Sequence, residues 1–133
     1  MNPRYAVVAE RAGLRCEYCH APEIIFNFPF EVEHIVPTAR GGVDDESNLA
    51  LACRACNLFK SDHRTGEEPT SGKAVRLFHP RTDRWEAHFA VDIESGVIRG
   101  LTPTGRATEA RLQMNSPLQL EARRQWMLLG IFP

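Results

Sequence analysis

Four cysteines stand in two pairs, Cys16 with Cys19 and Cys53 with Cys56, separated by 33 residues. Each pair reads CxxC, a turn that brings two thiolates to one point, and two such turns supply the four sulfurs that tetrahedral zinc prefers in a closed structural site. Other thiol chemistries compete for the same residues. Disulfides rarely persist in a reducing compartment, and the opening MNPRYAVVAERAG interrupts its apolar patch with Glu10 and Arg11, so it does not read as an export signal. A thioredoxin-like redox pair needs only one CxxC. The run Cys16-Glu17-Tyr18-Cys19-His20 also satisfies the CxxCH pattern of c-type haem attachment, which needs export and leaves Cys53 and Cys56 without a role.

Between the pairs lie Glu33-His34 and Asn48, and Asn57 to Lys60 follow the last cysteine directly. An acid beside an imidazole offers an oxygen ligand for a hard divalent cation and a base that titrates near neutrality. Phosphodiester hydrolysis needs both, a cation to neutralise charge on the phosphate and leaving oxygen and a base to deprotonate water. Asn57 could add an amide oxygen to the cation, while Arg54 and Lys60 could hold phosphate. Each residue also has a plainer role, with Glu33 facing solvent from a strand, His34 structural, and the asparagines capping a turn or a knuckle.

The elements that must position these residues follow from pattern. Pro3 to Ala12 reads as a short helix closed by Gly13, with Tyr5, Val8, Ala9 and Ala12 at helical spacing. Phe30 to Val36 reads as a strand stopped by Pro37, and Leu49 to Ala52 as a second strand after a loop that bends at Gly41-Gly42 and carries Asp44-Asp45-Glu46. From Cys56 onward the segment NLFKSDH reads as a helix with Asn57, Lys60 and Ser61 on one face. In the second half, Arg64 to Lys73 reads as a polar linker, and Arg84 to Val91 with Val97 to Leu101 as a β-hairpin. One helix starts at Thr102-Pro103. A second starts at a Ser116-Pro117-Leu118-Gln119 capping box and carries Leu118, Ala122, Trp126 and Leu129 as an apolar stripe. Trp85 and Trp126 read as core residues.

Composition bounds the rest. The 133 residues are 43% hydrophobic and 25% charged, enough for a modest core, and no run is long and apolar enough to suggest a membrane span, so a cytoplasmic protein is expected. A net charge of -1 excludes the overall basic character that by itself marks a nucleic-acid binder, so such a role needs a local patch or a metal. Residues 1–63 sum to -3 and 64–133 to +2, and 14 of the 16 basic residues are arginine, whose fork suits phosphate oxygens, although a GC-rich genome also favours its codons. Arg81, Arg84, Arg106, Arg123 and Arg124 are expected on solvated faces unless they form a patch facing DNA.

The stretch VEHIVPTARGGVDDESNLALACRACNLFK, flanked by both CxxC pairs, resembles the HNH endonuclease family in its acid-His pair before two apolar residues and proline, its Gly-Gly loop, its Ser47-Asn48-Leu49 turn and its CxxCN(x)2K ending. The resemblance covers Leu14 to His63, and HPRTDRW and GLTPTGRAT resemble an extension found in a bacterial branch. It implies an α+β fold, a small ββα-metal core stapled by a four-cysteine zinc site, followed by a C-terminal hairpin and two helices. Residues 1–63 would form the helix and nuclease core, and 64–133 an extension packed on it. By position it implies His34 as general base, Glu33 and Asn57 as ligands of Mg²⁺ or Mn²⁺, and Asn48 as the residue that fixes the loop and orients the histidine. Cys16, Cys19, Cys53 and Cys56 would hold a separate structural Zn²⁺, and double-stranded DNA is the expected partner. Glu33 stands where most members have aspartate, and Asn57 makes this an HNN variant. A zinc-stapled nucleic-acid-binding module without turnover is the competing reading, and an interaction adaptor with a vestigial site is a third.

Overall fold

A computed structural model describes residues 1–133. Helix α1, Tyr5–Arg11, buries Val8 and Ala9, and the chain then turns through the first cysteine pair. Strand β1, Glu31–His34, pairs antiparallel with β2, Leu49–Ala52, in the register Glu31 to Ala52 through His34 to Leu49. All four residues of β2 are buried, because α1 and the following helix both pack on it. The first knuckle joins the far edge of β2. Glu17 donates its backbone N–H to the Leu51 carbonyl, and its carboxylate accepts the Leu51 N–H at 2.9 Å.

Helix α2 spans Arg54–Lys60, starting two residues before the expected Cys56 and stopping before Ser61. Its start is set by Cys53, whose sulfur accepts the Cys56 N–H at 3.4 Å as an N-cap. Its end is set by Ser61, which takes a positive φ of 50°.

The Gly-Gly bend works by two different means. Gly41 sits at φ 88°, and a Cβ on Gly42 would lie 1.8 Å from the Val36 carbonyl oxygen, so neither position tolerates a side chain.

The second half departs from expectation in four ways. The polar segment after Arg64 forms a hairpin of β3, Thr65–Glu67, and β4, Ala74–Arg76, turning through Gly72 at φ 71°. The start of the expected strand at Arg84 is a helical turn, α3, Trp85–His88, before β5, Phe89–Val91, which pairs with β6, Ile98–Gly100. The alternation that suggested a strand also puts Trp85 and Phe89 four apart, and their rings pack with centroids 5.0 Å apart.

Helices α4, Pro103–Arg111, and α5, Pro117–Leu128, close the chain. Thr102 caps α4 by accepting the Gly105 N–H at 3.0 Å, but Ser116 makes no side-chain cap, so the expected capping box does not form. The α5 stripe is also rotated. Leu118 and Leu129 are exposed, while Arg123 is fully buried beside Trp126.

Contacts from the second half clamp the first knuckle. Trp85 donates its indole N–H to the Tyr18 carbonyl at 2.8 Å and stacks on His20 with centroids 4.0 Å apart. Arg81 pairs with Glu17, and Arg15 donates to the Ile131 carbonyl at 2.9 Å.

Candidate active site and metal centre

The knuckles bring Cys16, Cys19, Cys53 and Cys56 together, all buried, with their sulfurs within 4.8 Å of one another. Cys19 Sγ and Cys53 Sγ lie 3.7 Å apart. Sulfurs at the ends of a tetrahedron with Zn–S bonds near 2.3 Å are separated by about 3.8 Å, so the donor set fits zinc. Contacts with the other thiols lower the Cys53 pKa strongly, whereas those contacts and burial raise Cys19 and Cys56. His20 stands outside the cluster. Burial lowers its pKa, so it packs on Trp85 as a neutral ring.

Strand β1 alternates, and this separates the neighbouring acid and imidazole. Glu33 faces inward and is only 7% exposed. It accepts a hydrogen bond from the Tyr18 hydroxyl and one from Lys60 Nζ at 3.0 Å. Burial raises the Glu33 pKa against the opposing pull of Lys60 and Tyr18, and burial together with the Glu33 charge raises Tyr18.

Lys60 also donates to the carbonyls of His34 and Ile35 at 3.3 and 2.9 Å. Its three N–H groups are therefore all engaged within the protein at 1% exposure, which corrects the expectation that it holds phosphate. Arg54 is exposed at the start of α2, three residues before Asn57 on the same side, and its side chain makes no hydrogen bond or ion pair.

His34 faces outward. Its Nε2 lies 2.9 Å from Asp44 Oδ1, and Arg4 Nη1 holds the same oxygen at 2.9 Å. The His34 contact, with Arg4 second, lowers the Asp44 pKa and keeps this carboxylate ionised.

Asn48 is buried and uses its amide fully. Its Oδ1 accepts the Val36 N–H at 2.9 Å, and its Nδ2 donates to the carbonyls of Val36 and Val43 at 2.9 and 2.8 Å. Those bonds tie the end of β1 to the loop that carries Asp44.

An open pocket of about 340 Å³ has His34 and Asn57 on its wall, together with Glu33, Ser61 and Asp62. The Asn57 side chain is half-buried and makes no hydrogen bond within the protein. Asp62 is exposed, its carboxylate lies 3.5 Å from Arg40 Nη2, and its backbone carbonyl accepts from Arg40 Nε at 2.6 Å. Apart from the His34 imidazole the donors here are oxygens, a set suited to a hard cation, while Glu33 reaches a cation only in exchange for the Lys60 ammonium.

Sequence pattern did not single out Asp44, Tyr18 or Asp62. Asp44 lay within a noted acidic run, but pairing across ten residues of loop has no periodic signal. Tyr18 lies inside the knuckle, where its neighbours dominate the pattern.

No curated protein and no solved structure is significantly similar to the chain. The HNH endonuclease family matches residues 16–63, a segment that runs from the first cysteine of the cluster past the end of α2. The ββα order of this segment and its clustered cysteines are consistent with a CxxC…CxxC form of the HNH fold, and the similarity is confined to residues 16–63.

Proposed function

We propose that the chain hydrolyses phosphodiester bonds of nucleic acid, with double-stranded DNA the first substrate to test. The observation that carries this reading is the shared pocket, whose wall includes both the outward-facing His34 and the free amide of Asn57. Because Nε2 of His34 is tied to Asp44, Nδ1 is left to accept a proton from water. The water oxygen bonds to phosphorus, the bond to the 3′ oxygen breaks, and the product carries a 5′ phosphate. Asn57, with Glu33 once Lys60 yields, would hold a Mg²⁺ or Mn²⁺ ion. When bound, that ion supplies charge neutralisation at the phosphate. Asn48 positions the loop, and Arg54 can reach a flanking phosphate.

The test is conversion of supercoiled plasmid to nicked and linear forms by zinc-loaded protein, with and without Mg²⁺ or Mn²⁺, comparing wild type with His34→Ala. Cleavage should need the added cation, and the variant should lose on the order of 10²- to 10⁴-fold in rate. Equal cleavage by a folded His34→Ala protein removes the assignment. One observation favours a second reading, zinc-dependent binding without turnover, since the Glu33 carboxylate is already engaged by Lys60 and Tyr18. Salt-sensitive DNA binding with no cation-dependent cleavage would select it.

A further inference from the structure

On the other side of the turn that follows α2 lies a larger cleft of about 670 Å³, formed between the family segment and the second half of the chain. Ile35, Val36, Arg40, Lys60 and His63 contribute from the first, and Arg64, Thr65, the run Arg76 to His79, Thr82 and Asp83 from the second. Its size falls in the range of built ligand sites, roughly 300–1,000 Å³.

Its charge is one-sided. Arg40, Lys60, Arg64 and Arg76 line it, with Asp83 the one carboxylate. Lys60 is spent on Glu33, but Arg64 is exposed and makes no side-chain hydrogen bond or ion pair. Asp83 grips Arg76 through both oxygens, at 2.6 and 3.2 Å, and still leaves that side chain 57% exposed. Asp83 therefore aims the Arg76 fork more than it conceals it. In a protein of net charge -1, this concentration of guanidinium groups is a local feature.

The floor is chemically different. Ile35, Leu77 and Phe78 are apolar and buried, and His79 stands beside them with Nδ1 accepting the Arg81 N–H at 3.2 Å, which fixes the ring plane. Guanidinium forks above an apolar floor match an unstacked nucleotide, with phosphate at the rim and base inside. A duplex keeps its bases stacked inward and presents a convex phosphate surface, which would leave the floor uncovered.

We propose that this cleft binds a single-stranded segment of nucleic acid flanking the cut, with Arg64, Arg76 and Arg40 on its phosphates and a base against Leu77 and His79. The proposal deepens the nuclease reading and rests on it for the position of the strand beside the cut. A substrate with an unpaired stretch beside the scissile bond, such as a flap, gap or overhang, would then use both hollows at once.

The test is equilibrium binding of the zinc-loaded full chain, without added Mg²⁺ or Mn²⁺, to fluorescein-labelled oligodeoxythymidine of about 12 nucleotides, with a duplex of the same length as comparison. Arg64→Glu should weaken single-strand binding about 10-fold or more, and Arg64→Ala should reduce the slope of log K against log salt by about 0.7. Arg64→Lys should retain most of the affinity. Arg99→Glu makes the same charge change at an exposed site outside the cleft and should leave binding near wild type.

Absence of single-strand binding, tighter binding to the duplex, or equal loss in Arg64→Glu and Arg99→Glu would overturn the proposal. A protein that cuts plasmid but binds strands independently of Arg64 loses the cleft and keeps the nuclease. One that cuts nothing yet shows Arg64-dependent binding keeps the cleft and loses the nuclease.

Discussion

Lys60 Nζ lies 3.0 Å from Glu33 Oε2, with the two side chains 2% and 6% exposed. Both charges have left water, and the Tyr18 hydroxyl and two backbone carbonyls complete their hydrogen bonding. Removing one member strands the other, at a cost of about 3–5 kcal/mol. Lys60→Met should therefore destabilise the protein strongly in urea titrations. Lys60→Met combined with Glu33→Gln should recover much of that loss, and a double variant as unstable as the single would show that the pair is not what Lys60 serves.

Asp44 should act on cleavage through His34 alone. Asp44→Asn keeps the shape but weakens the carboxylate contact that assigns the imidazole proton to Nε2, and second partners of this kind are worth roughly 10–100-fold in activity. We expect kcat to fall with KM unchanged, and nitrogen NMR of the His34 ring to show a mixture of tautomers. An unchanged tautomer with unchanged kcat would make Asp44 an incidental neighbour.

Zinc should be required for folding. Structural zinc in small fingers contributes about 10–16 kcal/mol, against a typical domain stability of about 5–15 kcal/mol. Cys53→Ser should lose the metal and the cooperative unfolding transition together, as read by circular dichroism and metal analysis. A folded, zinc-free Cys53→Ser protein would contradict this.

Acid should weaken the hold on Arg76. Burial alone would raise the Asp83 pKa, but Arg76 and the His79 amide hold it below the usual aspartate range. A depressed folded pKa gives stability that is complete above the unfolded value and lost as pH falls through the folded one. The loss should begin below about pH 3.9, and Asp83→Asn should flatten that part of the stability curve while lowering stability at neutral pH. An unaltered acid limb in the variant would exclude the contribution.

The family segment was legible because its residues sit in local patterns. Leu49 to Ala52 has the bounds of β2, and the cysteine spacing led to one cluster. Positions that depend on the partner across space were not legible. Glu33 reads as a surface acid until Lys60 arrives from α2, and Arg123 reads as a solvated helix arginine until its guanidinium meets the carbonyls of Gly96 and Met114 at 2.8 and 2.6 Å. Arg81 and Arg106 likewise pair with Glu17 and Glu68, leaving Arg84 and Arg124 on exposed faces as expected. The β3–β4 hairpin was hidden because its strands are three residues each, too short for alternation to register.

The clamp of Arg81 on Glu17 ties two distant things to one supply. Glu17 follows the first cysteine and is bonded to β2, while Arg81 stands in the chain between His79 and Thr82, which line the cationic cleft. Loss of metal from the sulfurs would therefore slacken a surface that contains no sulfur. Zinc availability becomes an input to what the arginines can hold, and a chain starved of the ion would lose its grip on a strand along with its fold.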